Sequence, residues 1–236
     1  MSAPSIAPIT RLAALSLFLM LMLMLMLMLS LPSARATELP STAELQYVGP
    51  YRIPATMTFN RTGDTYAVAL RLRVPLYQIR FHSSGSISNN TLRPAVYTDT
   101  RNGKTYAEAR FSDHNVRYGK AGTDMQTSTP TGPTLDLFSL VWQLAMNDGQ
   151  PPAKLHITNG KKIYAVSGIS KIGDGTYRLG ERDIAIRRYQ VRRSDSNMEY
   201  AFAPELGNIP VLISYMDNGK TYVLTLKSAK INGQTL

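Results

Sequence analysis

The stretch T-L-D-L-F-S-L-V-W-Q-L-A-M, residues 134–146, decides the fold. Beyond the N-terminal segment it is the one long helical pattern in the chain, and everything around it reads as strand and turn. Thr134 follows Pro133 and precedes Asp136, which puts a hydroxyl cap and an acid where first-turn amides need partners. Leu137, Phe138, Leu140, Val141, Trp142, Leu144 and Ala145 cover most of the helical circumference, leaving Asp136, Ser139 and Gln143 as a thin polar stripe. A helix apolar on nearly every side has to be surrounded. The expected fold is therefore mainly β: a strongly curved antiparallel sheet, open barrel or sandwich, wrapped around a single buried α-helix.

Working outward, residues 65–74 alternate cleanly. Val68, Leu70, Leu72 and Val74 point one way, and Ala67, Ala69, Arg71 and Arg73 the other. Residues 77–82 repeat the pattern, with Arg80 and His82 opposite Ile79 and Phe81. The wet face of this pair is basic. In residues 183–193, Ile184, Ile186, Arg188, Gln190 and Arg192 share one face, and Ala185, Arg187, Tyr189, Val191 and Arg193 the other. Whichever face packs inward brings arginines with it. Cations at the end of an apolar face suit a cavity mouth that binds phosphate or carboxylate, with snorkelling into water as the ordinary alternative. Arg71, Arg73, Arg80, Arg188 and Arg192 are therefore the candidate ligand-binding residues.

Asn-Gly dipeptides at 102–103, 159–160 and 218–219 each sit between alternating runs, the signature of a tight type I′ hairpin. Two-residue turns pair Ile213 with Leu224 and Tyr215 with Tyr222 in the last hairpin. In the middle one they pair Leu155 with Tyr164 and His156 with Ile163. In the first, Thr98 meets Ala107 inside, while Asp99, Arg101 and Tyr106 line the outer face. A further turn is expected at Asp174-Gly175. The total comes to roughly ten to twelve strands.

The 236 residues, 44% hydrophobic and 18% charged, are enough for one domain with a real core. Arg11, an uncharged run from Leu12 to Leu31, Pro32 and Ala34-Arg35-Ala36 form the pattern of a secretory signal peptide. The expected organisation is residues 1–36 as signal, 37–44 as a disordered leader and 45–236 as a β-rich domain, periplasmic after cleavage near Ala36. An uncleaved inner-membrane anchor is the competing reading. With no cysteine there is no disulfide partner and no lipoprotein attachment residue. Without Arg11 and Arg35, 24 basic residues remain against 16 acidic ones. Export argues against nucleic acid as the partner of that charge and favours lipid, lipopolysaccharide or acidic glycan.

Catalytic patterns are missing. His82, His114 and His156 lie on different elements, whereas a catalytic metal takes three converging ligands. Ser139 sits inside a helix without a G-x-S-x-G elbow, and Asp136 at a helix start should stay ionised as a cap. No catalytic residue, metal site or cofactor is expected.

Leu92-Arg93-Pro94 with Tyr97, Ala109-Arg110-Phe111, Asp136-Leu137-Phe138-Ser139-Leu140 opening the helix, Gly160-Lys161-Lys162 with Tyr164, and Pro210-Val211-Leu212-Ile213 follow one another in an order that resembles the bacterial exported family known as domain of unknown function 3108. The resemblance spans residues 45–231. Where the family carries a tryptophan ahead of the late Pro-Val segment, this chain has Phe202. The resemblance implies a periplasmic β-rich protein without an established activity. Together with the basic faces, it leads to the expectation of a non-enzymatic binding or carrier protein for an anionic or amphiphilic envelope component. The alternatives are an assembly factor contacting other envelope proteins and an unrecognised hydrolase.

Overall fold

Alternating strands joined by tight turns dominate the structure, a computed structural model that describes residues 39–217 and 219–236. The expected signal segment and its cleavage point near Ala36 lie outside the described residues. From the N-terminal side come β1 (Thr42–Val48), β2 (Pro54–Thr62), β3 (Thr65–Val74), β4 (Tyr77–Ser88), β5 (Thr91–Arg101), β6 (Lys104–Phe111), β7 (Val116–Lys120) and β8 (Gln126–Ser128). Then follow β9 (Thr134–Asp136), helix α1 (Leu137–Met146), β10 (His156–Thr158), β11 (Ile163–Leu179), β12 (Arg182–Arg193), β13 (Asn197–Ala203), β14 (Ile209–Asp217), β15 (Lys220–Ile231) and β16 (Gln234–Thr235).

Strands β1 to β8 form one meander and β9 to β15 another, and the two join along β1 and β15 into a single sheet, with β16 paired to β15. Pairing is antiparallel except between β9 and β10. Strands β8 and β9 end this order at opposite extremes. A flat sheet of that strand count would hold its ends about 65 Å apart at the usual strand spacing. Only residues 129–133 lie between them in the chain, a reach of roughly 20 Å. The sheet is therefore curled until its ends approach without closing.

Inside the curl lies α1. It touches β4, β5, β9, β10 and β14, strands drawn from both meanders. Every residue from Phe138 to Met146 is buried. Trp142 stacks on Phe59 of β2 with ring centroids 4.1 Å apart. The curved sheet around a buried helix is the architecture expected from residues 134–146.

Several local expectations change. The N-cap is Asp136 and not Thr134, because Thr134 belongs to β9 and the helix begins at Leu137. Strand β1 starts at Thr42, so part of the expected leader is sheet, with Ala43 only 3% exposed. Sixteen strands are present among the described residues, the short β8, β9, β10 and β16 accounting for the excess. Residues Asp174 and Gly175 do not turn, since β11 runs straight through them against β12.

The last hairpin has the expected register, Ile213 opposite Leu224 and Tyr215 opposite Tyr222. In the middle hairpin Thr158 pairs with Ile163, so the loop has four residues, and His156 faces Ala165. The Asn159 side chain causes this: its Oδ1 accepts hydrogen bonds from the backbone amides of Lys161 and Lys162, at 3.0 and 3.1 Å. In the first hairpin the turn is as expected, with Arg101 opposite Lys104, but a bulge next to Asp99 leaves Tyr106 unpaired. Asp99 consequently meets Ala107 and Tyr97 meets Ala109, one place off the expected register. A one-residue slip moves every side chain beyond it to the other face, and Asp99 turns inward, 3% exposed.

Candidate functional site

An open, mainly apolar cleft lies beside the first turns of α1. Leu137, Phe138 and Val141 form its floor. Leu70, Leu72 and Phe81 wall it from β3 and β4, while Ile213, Tyr215, Tyr222 and Leu224 face them from β14 and β15. Its interior measures about 90 Å³, below the several hundred Å³ of sites that enclose a whole drug-sized ligand. It therefore suits one end of a larger molecule. Phe138 anchors the floor, its ring centroid 5.3 Å from Phe81 and 6.3 Å from Tyr97.

Three cations, Arg101, Lys161 and Arg193, join Asp99 and Asn159 in the lining. Arg101 is clamped by the buried Asp99, with Nη2 to Oδ2 at 3.0 Å and Nε to Oδ1 at 3.3 Å. Its guanidinium carbon also sits 3.5 Å from the centroid of the Tyr106 ring. The same bulge that turns Asp99 inward thus fixes the arginine. Arg193 closes β12 with only 4% of its side chain exposed. Asp195 Oδ1 accepts from Nε at 2.9 Å, Ser196 Oγ accepts from Nη2 at 2.8 Å, and the group stacks 4.1 Å from the Tyr164 ring. Both guanidiniums are held before any ligand arrives, so little side-chain freedom is lost on binding. Burial, reinforced by Asp99, Asp136 and Tyr215, pushes the Tyr97 phenol well above its ordinary pKa and keeps it neutral.

Behind the floor, Asp136 is fully buried. Its Oδ1 accepts from the Phe138 and Ser139 amides at 2.9 and 3.0 Å, and its Oδ2 from the hydroxyls of Ser83 and Ser139 at 2.6 and 2.8 Å. The carboxyl was expected to be held low by the helix N-terminus. Its pKa is raised instead, because desolvation by burial outweighs the four donors. The nearby Tyr66 hydroxyl is buried beside the Ser83 and Ser139 hydroxyls, and burial followed by the Asp136 charge pushes its pKa up against their opposing effect. Ser139 is spent on the capping box, and no histidine lines the cleft. Among the described residues no cluster of His, Asp or Glu could hold a metal ion. The arrangement can embed an apolar group beside oriented guanidiniums.

The arginines expected to bind ligand are not gathered here. Arg71 and Arg73 are exposed on the outer face, where they line a polar groove with Glu44, Gln46 and Thr56. Arg80 is exposed and lies opposite Arg71. Arg188 is paired with Glu199 at 2.7 Å, and Arg192 is exposed beside Gly168. Strand β12 changes phase near Arg187 and Arg188: Ile184 and Ile186 are buried before that point, Tyr189, Val191 and Arg193 after it. An inward arginine was legible in its alternation, but the one that turns in is Arg193. Tyr97, Asp99 and Arg101 were missed because the bulge at Tyr106 has no sequence signal of its own. Lys161 was visible only as the residue after an Asn-Gly turn.

Comparison with curated proteins gives no match. Comparison with protein families matches residues 51–227 to the family described as Protein of unknown function (DUF3108), a span that includes the helix, Arg101, Lys161 and Arg193 of the cleft, and most of the sheet. The chain belongs to the DUF3108 family.

Proposed function

We propose that this is a non-enzymatic binding protein of the cell envelope, which takes the apolar end of an anionic amphiphile into the cleft beside α1 and holds its charged head at Arg101 and Arg193. The observation that carries this reading is the junction in one lining of an apolar helix face, Leu137, Phe138 and Val141, with Arg101, Lys161 and Arg193, the two guanidiniums being oriented by Asp99 and Asp195. Such a site rewards a ligand with both features, because each guanidinium offers directed donors and the floor offers area removed from water. The signal-like N-terminal segment and the basic charge balance support a periplasmic setting in which such ligands are abundant.

Calorimetric titration of the exported protein with octyl phosphate and with octyl glucoside tests it. The phosphate should bind and the neutral glucoside should bind at least tenfold more weakly, the difference one charge-assisted contact implies. Arg101→Gln should erase most of that preference, and Leu137→Trp, which fills the floor, should weaken both ligands. Equal affinity for the two amphiphiles, or binding indifferent to Leu137→Trp, would refute the reading.

A further inference from the structure

The hairpins divide the sheet into two unlike ends. Register places the turns at Pro50–Arg52, 75–76, 102–103, 121–125, 159–162 and 194–196 and the link from Asp217 to Lys220 at one end, since β1, β3, β5, β7, β10, β12 and β14 all finish there. The cleft opens at this end, where Pro50, Asn159, Lys161 and Met216 line it. The opposite turns, 63–64, 89–90, 112–115, 180–181, 204–208 and 232–233, contain Asp64, Asp113, Glu181 and Glu205, while exposed Arg182 and Lys230 flank them and exposed Lys154 precedes β10 at the same end. The mouth-end turns contain Arg52, Lys161 and Lys162 against Asp124 and Asp195, and Asp195 is committed to Arg193. Exposed Arg73, Lys104 and Lys220 flank the same turns, as does Asp217 by its place in the chain. The excess of cations is therefore larger at the mouth than at the far end.

Two large apolar side chains stand out from the mouth end with nothing packed on them. Tyr51 is 95% exposed and Leu76 is 102% exposed. Neither is a natural choice for its backbone: φ is 57° at Tyr51 and 60° at Leu76, in the left-handed region where β-turns favour glycine or asparagine. Pro75-Leu76 is a two-residue link between Val74 and Tyr77, a position at which this chain elsewhere uses Asn102-Gly103. Turn chemistry disfavours leucine there and burial does not reward it. A surrounding that accepts apolar tips ringed by cations does, and an anionic bilayer interface is such a surrounding.

We propose that the mouth end docks on an anionic lipid surface, with Tyr51 and Leu76 inserted among the head groups and the cleft opening onto the bilayer. This rests on the cleft reading above and adds the source of its ligand: an amphiphile passes between membrane and cleft at the loop tips without crossing water.

The test uses the protein collected from an exporting host and vesicles of phosphatidylglycerol with brominated acyl chains. Leu76→Trp and Ile172→Trp each add one exposed reporter, the second on β11 away from the hairpin tips, while the native Trp142 is buried. Emission added at position 76 should fall about twofold on the vesicles, as expected for a tip in the acyl boundary, and emission added at position 172 should not change. Tyr51→Ser combined with Leu76→Asn should lower partitioning about tenfold, and phosphatidylcholine vesicles should bind more weakly than anionic ones. No quenching at 76, equal quenching at both positions, or indifference to lipid charge would overturn the docking proposal. Octyl phosphate titrated without vesicles separates the two readings. Retained octyl phosphate binding with no quenching at 76 removes docking alone, and quenching at 76 without octyl phosphate binding upholds docking while removing the cleft reading.

Discussion

Asp136 shows how a residue can be recognised in sequence and still have its environment misread. Its place before an apolar helical run marked it as a terminus acid, and the structure uses it as the N-cap. What sequence does not display is Ser83, 53 positions away, or the complete exclusion of water. Desolvation raises its folded pKa above the ordinary value, so the folded state holds this proton more tightly than the unfolded chain. The stabilising contribution is full below the unfolded pKa and is lost as pH rises through the folded one. The unfolding free energy of the wild type minus that of Asp136→Asn should therefore fall with rising pH across that window, in urea melts at a series of pH values. A flat or rising difference would contradict the assignment. Asp136→Ala should cost about 2 kcal/mol or more, through the lost cap and the stranded Ser83 hydroxyl. Gln143 follows the same logic. Its Oε1 accepts from the Leu92 amide at 2.7 Å and its Nε2 donates to the Asn90 carbonyl at 3.0 Å. Gln143→Ala should lower stability by roughly 2 kcal/mol, because a buried amide loses its partner.

Among elements, the helix and the long strands were legible because their periodicity extends over many residues: β3 alternates as its sequence does, and the face it buries is Tyr66, Val68 and Leu70. Irregularities were not. The bulge at Tyr106 and the four-residue loop after Thr158 each move a register by one or two places, and the alternation of apolar and polar residues marks neither. That is why Asp99 and Arg101 were expected on the outer face and stand in the cleft. Another bulge follows Ser84, where Gly85 lies so close to β5 that a Cβ would collide with the Arg93 carbonyl. Backbone cannot step aside, so Gly85→Ala should cost about 3 kcal/mol, visible as a lower urea midpoint at unchanged slope. An unchanged midpoint would mean that β4 and β5 are held less tightly than described.

At the scale of the whole molecule, two meanders share one seam and one helix, so no part of the sheet has a core of its own. The burial of α1 from both sides ties them together. Heat or urea should therefore unfold the domain in one step, with Trp142 fluorescence and far-ultraviolet dichroism superimposing; two separated transitions would show that the meanders fold independently. The global curl followed from one stretch of sequence, since a helix apolar all round admits few surroundings. The position of the cleft did not, because it is assembled from β3, β4, β5, the 159–162 loop, β12, β14 and β15, which only the curled sheet brings together.

Binding in the cleft turns on where an anionic amphiphile sits. Nuclear Overhauser contacts between octyl phosphate and the protein measure this directly: the terminal methyl protons should contact Phe138 and Val141, and the Arg101 and Arg193 Nε resonances should shift on binding. Contacts confined to the outer groove at Arg71 and Arg73, with Phe138 and Val141 silent, would contradict it.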